Sequence, residues 1–401
     1  MIGGLILMVI LFFFTEPILR KLKAGKPWFS IKMMKNLYWW HMFFALVYYI
    51  YTLGGRSDSY GYYERPQYKY DIWFGAYEAG TAFIDFVGYP FINYLFFSFE
   101  MMMVLFAWLG YLGFVYFYIV FKENIKFKHK FYGYDLITLF IFLPNMHFWT
   151  SSYGKGSIIF WGLGLAIYGL SQLKTRKRAL LFGLLIVYHV RPHVFLFMAV
   201  AIMVGLFTGK QKVPLYQKIL VFGGSAVALI LMFDQIVAYA GLDSENLVES
   251  FDQFSSHRST ELAKAGSGID TSNYPMILKL FTFWYRPLFV DSPGPVGLIV
   301  SVENVFYLML TANLFKGGFF KFMKNASALV KTNLVVFLAT AIALSTTLFN
   351  MGIIVRQKSM VMYFLLFVII AFMDFKKEKI YARKLAALER KKSQDLEEAL
   401  N

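Results

Sequence analysis

Several short turns of this chain carry cations and hydroxyl groups between long apolar runs. The turn at residues 144–155 contains His147, Lys155 and several hydroxyl groups, and it ends where the next apolar run begins. Free N–H groups and the dipole at a helix N-terminus favour an anion, so this turn suits a phosphate group. The alternative is an interfacial belt of aromatic residues with a lysine that extends to water.

A second polar turn lies at residues 188–193. Arg191 stands between His189 and His193, and Pro192 breaks the helical pattern. These side chains would be costly against hydrocarbon, and an arginine fork matches two phosphate oxygens at once. We therefore predict phosphate binding here. A zinc site is a weaker interpretation of the two histidines, because the proline interrupts the helix face and no glutamate accompanies them.

Asp58 adds a carboxylate to these turns. It follows Gly54 and Gly55 directly after an apolar run, where the chain is expected to reach water. A carboxylate at this boundary can act as a general base or bind a metal ion. A helix cap followed by an aspartate turn is the structural alternative, since glycine and aspartate are ordinary turn residues.

The second half of the chain supplies further candidates in a long polar stretch and near the last two apolar runs. Together the cations predict a site for transfer from a membrane-held phosphate or pyrophosphate donor, with cations for the leaving group and Asp58 as the base. The predicted phosphate-binding residues are Lys155, Arg191, His193, Arg258, Arg286 and Arg356. Further polar candidates are His147, His189, His257, Glu303 and Lys358, and the residues predicted to stack on sugar rings are Trp149, Tyr153 and Trp284.

The elements that must position these residues are predicted to be membrane helices. Short segments rich in Lys and Arg stay cytoplasmic during insertion, which assigns the polar turns to the opposite, outer face. Because 58% of the residues are hydrophobic, we interpret the net charge of +16 as the signal that orients the chain in a membrane, and not as a surface that binds nucleic acid. The six basic segments are residues 20–35, 122–130, 174–178, 210–218, 316–331 and 376 onward.

About 20 apolar residues are needed to cross a bilayer. The sequence predicts an all-α polytopic membrane protein of about eleven transmembrane helices, in a range of about ten to thirteen, with an outer N-terminus and a cytoplasmic C-terminus. The sixth run, of about a dozen residues, is too short for a full span and is predicted to be a half-helix. The predicted spans are residues 1–19, 36–54, 90–121, 132–150, 156–173, 179–190, 193–208, 217–240, 298–316, 332–350 and 359–375.

The predicted organisation is one membrane domain, residues 1–375, followed by a charged cytoplasmic helical tail at 376–401. The two larger outer loops are residues 55–89 and 241–297, and residues 81–98 are a candidate interfacial helix. The chain contains no cysteine, which excludes disulfides and cysteine-based metal sites.

These segments together resemble two bacterial families of glycan assembly, the C-type glycosyltransferases and the polymerases of O-antigen or exopolysaccharide repeat units. The resemblance implies that an outer acidic residue, here Asp58, acts as the base, and that Lys155, Arg191 and Arg258 hold a polyprenyl phosphate or pyrophosphate. The fixed arginine-to-glycine spacing of the polymerases is not matched after Arg258, which favours a general transferase. The resemblance rests on residues 57–60, 144–155, 191–193, 286–287, 303–304 and 356–358.

The expected function is transfer of a sugar, or polymerisation of a repeat unit, on the outer face of a bacterial inner membrane. The expected partners are a lipid-linked sugar or oligosaccharide and membrane lipids, with no nucleic acid. The sequence leaves open whether a divalent cation assists Asp58. It also leaves the oligomeric state open. The alternatives are a transporter or flippase of a lipid-linked anionic glycan and a membrane acyltransferase that uses one of His147, His189 and His193.

Overall fold

The computed structural model describes residues 2–55, 57–210, 274–292, 294–347 and 350–400, together with scattered positions between 214 and 230. Most of these residues are helical, and they include one two-stranded hairpin. Most of the helix predicted at 217–240, most of the loop predicted at 241–297, and the residues His257 and Arg258 lie outside the described residues.

Fifteen α-helices and one hairpin are described. Helices α1 to α5 are Ile2–Lys23, Ile31–Leu53, Ser59–Tyr68, Ala82–Tyr89 and Phe99–Asn124. Strands β1, Lys130–Phe131, and β2, Tyr134–Asp135, pair antiparallel with Lys130 opposite Asp135. Helices α6 to α10 are Leu136–Ile141, Pro144–Thr150, Lys155–Ser171, Leu173–Val190 and Pro192–Thr208. Helices α11 to α15 are Met276–Tyr285, Gly294–Thr311, Phe319–Lys324, Ala328–Thr347 and Met351–Leu400.

Single helical turns of other kinds connect several of these helices. A π-helical turn directly follows α4, so the candidate interfacial helix at 81–98 consists of α4 and this turn. The short turns are 3-10 at Trp73–Ala76, Phe289–Asp291 and Ala312–Phe315, and π at Pro90–Tyr94.

The apolar helices support a membrane protein. Five helices in the described part of the chain are long and apolar enough to cross a bilayer, and three shorter apolar helices accompany them. Eleven crossings and their orientation stay predictions. The five are Ile2–Lys23, Phe99–Asn124, Gly297–Phe315, Ala328–Thr347 and Met351–Leu396, and the shorter ones are Leu136–Thr150, Pro192–Thr208 and Met276–Tyr285.

The helix predicted at 179–190 extends to Leu173 on its N-terminal side, but Arg176 has non-helical backbone angles, so a kink separates the first turn from residues 177–190. The half-helix at 179–190 stays a prediction. The N-terminal part of the observed helix contains the basic segment 174–178, which was expected to be a loop. At the kink, the Arg176 guanidinium donates to both carboxylate oxygens of Glu123 at 2.7 Å and lies 3.9 Å from the ring centre of Tyr168. These contacts hold the kinked turn against α5 and α8.

Two other predicted spans have different boundaries. The span predicted at 90–121 begins at Phe99, where the Ser98 hydroxyl accepts a hydrogen bond from the Met101 N–H at 3.4 Å and caps the helix. The span predicted at 132–150 is interrupted at residues 142–143, because Pro144 has no N–H to continue the helical pattern. The predicted tail at 376–401 continues α15 without a break to Leu400.

Three of the basic segments, 122–130, 316–331 and the one that begins at 376, meet at one end of the helix bundle. Lys376 Nζ donates to the Lys316 carbonyl at 2.9 Å, and Lys377 Nζ donates to the Lys128 carbonyl at 3.0 Å. The Asp374 carboxylate accepts the backbone N–H groups of residues 126 and 127 at 3.0 and 2.8 Å. Along α15, Asp374 lies roughly 27 Å from Arg356 at about 1.5 Å per residue, which is close to the thickness of a bilayer core.

Helices α8 and α9 form a tight antiparallel hairpin. A methyl group added at Gly183 of α9 would lie 2.4 Å from the Ala166 backbone nitrogen, and one added at Gly169 of α8 would lie 2.2 Å from the Leu180 nitrogen. The two backbones are therefore in direct contact. Because α8 begins at Lys155 and α9 ends before Arg191, this hairpin brings both cations to the same end of the bundle.

Replacing Gly183 with alanine should force the two helices apart and destabilise the protein by about 1–3 kcal/mol. The measurement is the thermal unfolding midpoint of the purified protein in detergent. Gly75→Ala is the control, because its added methyl group would meet only Ile72 at an ordinary 3.6 Å. Equal midpoints for the two variants would contradict close backbone packing at Gly183.

Candidate functional site

Three cations from separate elements lie together at the end of the bundle opposite the basic segments. Lys155 is the first residue of α8, Arg191 connects α9 to α10, and Arg356 belongs to the first turns of α15. Burial, reinforced by the charges of Arg191 and Arg356, lowers the pKa of Lys155 to about 8. The structure therefore brings together three of the six residues predicted to bind phosphate.

Three consecutive residues of α15 hold the elements around these cations. Arg356 Nη1 lies 3.6 Å from Asp58 Oδ2, and Gln357 Oε1 accepts a hydrogen bond from Arg191 Nη1. Lys358 is fully buried and donates to the side chain of Asn304 at 2.7 Å. Successive residues of an α-helix point about 100° apart, so the three side chains reach three different neighbours.

Asp58 presents an exposed carboxylate to this group. It precedes α3 at the N-cap position, but its side chain makes no capping hydrogen bond and is 70% exposed. The carboxylate is thus paired with Arg356 and open to water, with no role in the local turn. Gly54, predicted as a helix cap, does end α2.

Helix α3 is held by an ion pair that the sequence analysis did not single out. Arg65 donates to both carboxylate oxygens of the buried Asp85 at 2.7 and 2.8 Å. Its guanidinium also lies 4.8 Å from the ring centre of Tyr62. Burial, and then the charge of Asp58, raise the pKa of Tyr62 to about 12. The available signal was the acidic residue at position 85 within an otherwise apolar segment.

A short segment before α4 connects the two polar turns. Thr81 Oγ1 accepts a hydrogen bond from Lys155 Nζ at 2.5 Å, and the Gly80 N–H donates to the His189 carbonyl at 2.6 Å. Tyr77 Oη lies 2.8 Å from His189 Nε2. The segment therefore contacts His189 at the end of α9 through Tyr77 and Gly80, and it contacts Lys155 at the start of α8 through Thr81.

The predicted aromatic residues fall in different places. Trp149 lies beside the cations, with the Arg356 guanidinium carbon 6.0 Å from its ring centre. Tyr153 is fully buried, and its hydroxyl donates to the Tyr62 carbonyl at 3.0 Å. Trp284 stacks on Phe337 with ring centres 5.5 Å apart. Of the three, Trp149 is the one that the structure places next to Asp58 and its cations.

Two further predicted histidines are His147, which lies in the interior of the protein, and His193, which is two residues from Arg191. His147 is fully buried, with Nδ1 2.7 Å from His41 Nδ1 and Nε2 2.7 Å from the Ile141 carbonyl. That carbonyl can only accept, so His147 Nε2 carries the proton and His41 Nδ1 donates to His147 Nδ1. His193 lies in the first turn of α10, with its ring centre 6.4 Å from that of Phe197.

Glu303 supplies hydrogen bonds to the break before α7. It is buried on α12 and accepts the Asn145 N–H at 2.7 Å and the Tyr307 hydroxyl at 3.1 Å. Asn145 is the second residue of α7, so its N–H has no partner within that helix. The carboxylate replaces a capping residue that the chain lacks at this break.

Arg286 and Lys358 belong to a second break, between α11 and α12. Lys358 Nζ donates to the Arg286 carbonyl at 2.8 Å, and the side-chain amide of Asn304 donates to the Pro287 carbonyl at 2.7 Å. The Arg286 guanidinium is paired with Asp291. Arg286 is thus engaged locally and is not one of the three grouped cations.

The site has an electropositive character with one accessible carboxylate. Such a group can bind an anion and place a base beside it. Within the described ranges, no cluster of three or more His, Asp or Glu side chains is arranged to hold a metal ion.

Comparison with known proteins adds no family to this description. No protein-family model matches the chain, and no curated protein or solved structure is significantly similar to it.

Anion binding at this site should weaken as the pH rises through the pKa of Lys155. The free ammonium group is charged at pH 7 and mostly neutral at pH 9, so the affinity for inorganic pyrophosphate should fall about tenfold between these values. Isothermal titration calorimetry of the purified protein measures this change. Lys155→Arg should remove most of it, because a guanidinium stays charged at both pH values. A pH dependence that persists unchanged in Lys155→Arg would contradict the assignment.

Proposed function

We propose that this protein is a membrane glycosyltransferase, or a repeat-unit polymerase, that uses a polyprenyl phosphate or pyrophosphate sugar donor on the extracytoplasmic face. The observation that carries the proposal is the convergence of Asp58 with Lys155, Arg191 and Arg356 from four separate parts of the chain. Cations for a phosphate and a base for a hydroxyl are the two requirements of this reaction, and both occur in the same group.

The chemistry follows from these positions. The acceptor hydroxyl oxygen forms a bond to the anomeric carbon of the donor sugar, and its proton moves to Asp58. The bond between that carbon and the phosphate oxygen breaks, and its electron pair remains on the phosphate. Lys155, Arg191 and Arg356 stabilise the charge that develops on the departing phosphate. Trp149 lies where its ring can stack on a sugar.

The contact between Asp58 and Arg356 is weak enough for a donor phosphate to replace it. The pair is 3.6 Å apart, and the carboxylate is largely exposed, so the pair contributes little to stability. A donor phosphate would compete with Asp58 for Arg356. Its binding would leave the carboxylate available to accept a proton.

Transport of a lipid-linked anionic glycan is the second candidate. The buried Glu303 favours it, because an ionisable side chain within an apolar helix often belongs to a transport pathway. The hydrogen bond from Asn145 gives this carboxylate a structural role as well. The two candidates differ in Asp58, which transfer requires as a base and which transport does not.

Asp58→Asn should remove transfer activity, with a loss of about 10²–10⁴-fold expected for a general base. The Asp58 side chain makes no capping hydrogen bond, so α3 should fold normally. The measurement is complementation of a deletion strain, read as surface glycan and normalised to the amount of inserted protein.

Glu64→Gln is the matched control, because Glu64 is an exposed acid on the same helix. It should retain full activity, and Asp58→Glu should retain part of it. Full activity of Asp58→Asn would exclude Asp58 as the base.

A further inference from the structure

Tyr62 is a buried tyrosine of α3, with 4% of its surface exposed, and its backbone is held at both polar groups. Its N–H donates to the Asp58 carbonyl at 3.2 Å, and its carbonyl accepts a hydrogen bond from the Tyr153 hydroxyl at 3.0 Å. The Tyr62 hydroxyl, in contrast, makes no hydrogen bond within the described part of the chain. Because buried tyrosine hydroxyls usually have a partner, this hydroxyl is available to a ligand.

Two contacts hold the Tyr62 ring and so fix the direction of its hydroxyl. The Arg65 guanidinium lies 4.8 Å from the ring centre and is itself held by two hydrogen bonds to Asp85. A methyl group added at Gly154 would lie 3.2 Å from Tyr62 Cε2, so the ring packs directly against the backbone of the residue before Lys155. The hydroxyl is therefore oriented before any ligand arrives.

The Tyr62 hydroxyl and the Lys155 ammonium group lie beside the same charges. Burial raises the pKa of Tyr62 to about 12 and lowers the pKa of Lys155 to about 8. Four charged side chains act on both of these groups, which places both next to one cluster. These side chains are Asp58, Arg65, Arg191 and Arg356.

We propose that Tyr62 is a donor-binding residue whose hydroxyl donates a hydrogen bond to a phosphate oxygen of the lipid-linked donor. The inference rests on the phosphate site of the proposed function and adds a neutral hydrogen-bond donor to its cations. An anionic oxygen is the strongest acceptor for a hydroxyl group, and such hydrogen bonds are short and directional. The ammonium group of Lys155 is a compact charge on a flexible stem, whereas the fixed hydroxyl of Tyr62 sets the orientation of the phosphate relative to Asp58.

The test is Tyr62→Phe, which removes the hydroxyl and keeps the ring. Affinity for inorganic pyrophosphate is measured by calorimetry of the full-length purified protein in detergent, and the thermal unfolding midpoint is measured in parallel. The variant should bind pyrophosphate about tenfold more weakly, because it loses a hydrogen bond to a charged group. It should unfold at the wild-type temperature, because the hydroxyl has no partner in the described protein. The loss of affinity should be about the same at pH 7 and pH 9, because the Tyr62 hydroxyl is protonated at both values.

Two other tyrosines provide matched controls. Tyr68→Phe changes a hydroxyl on the same helix at a residue that is 84% exposed, and it should equal the wild type in affinity and in unfolding midpoint. Tyr153→Phe removes the hydrogen bond to the Tyr62 carbonyl, so it should lower the unfolding midpoint and leave the affinity within about twofold of the wild type.

Three outcomes would overturn the role of Tyr62. The first is an unchanged affinity in Tyr62→Phe. The second is a lower unfolding midpoint, or a failure to fold, in that variant, because the hydroxyl would then support the fold. The third is an equal loss of affinity in Tyr153→Phe, because binding would then follow the packing of α3 and not the hydroxyl.

Lys155→Ala separates this inference from the proposed function. If that variant binds pyrophosphate as the wild type does, the phosphate site itself is wrong and both proposals fall. If Lys155→Ala weakens binding while Tyr62→Phe does not, the role of Tyr62 alone is refuted.

Discussion

Residues 356–358 occupy successive positions near the start of α15, and each holds a different part of the structure. Arg356 contacts Asp58 before α3, Gln357 accepts a bond from Arg191 at the end of α9, and Lys358 binds the break between α11 and α12. Lys358 is the fully buried residue of the three. Loss of its ammonium group would leave buried hydrogen-bond acceptors unsatisfied, at a cost of about 1–3 kcal/mol of stability for each acceptor. The rotation that Lys358 imposes on α15 is also the rotation that directs its two neighbours to the grouped cations.

Two breaks in apolar helices create the need for these buried polar groups. A helix that stops within a low-dielectric interior exposes N–H and C=O groups that must find partners in protein. Glu303 caps the start of α7. The side chain of the adjacent Asn304 donates to the Pro287 carbonyl and accepts a hydrogen bond from Lys358. Adjacent residues of α12 therefore provide hydrogen bonds at both breaks. The ionisable groups in this interior have defined hydrogen-bond partners, whereas the carboxylate of Asp58 stands in water.

Part of this arrangement could be predicted from the sequence. Apolar runs interrupted by polar turns predicted the helical membrane class, and the residue types in those turns pointed to Asp58, Lys155, Arg191 and Arg356, which the structure brings together. The ion pair of Arg65 with Asp85 could not be derived, since its members are separated by a turn of unknown geometry. Helix boundaries were misplaced where an apolar run continues past the end of the helix, as at residues 90–98 before α5. Whether an aromatic residue such as Tyr153 is buried depends on the packing of distant helices and has no local pattern.

The proposed function is transfer of sugars from a lipid-linked donor at the Asp58 site. The most direct measurement is mass spectrometry of the lipid-linked glycans that accumulate when the gene is deleted, with each leaflet labelled separately. For sugar transfer at this site, accumulation is expected on the extracytoplasmic leaflet, as single complete repeat units for a polymerase or as repeats that lack one sugar for a transferase. Accumulation of complete units on the cytoplasmic leaflet would show that transport is the missing step and would contradict the proposed transfer.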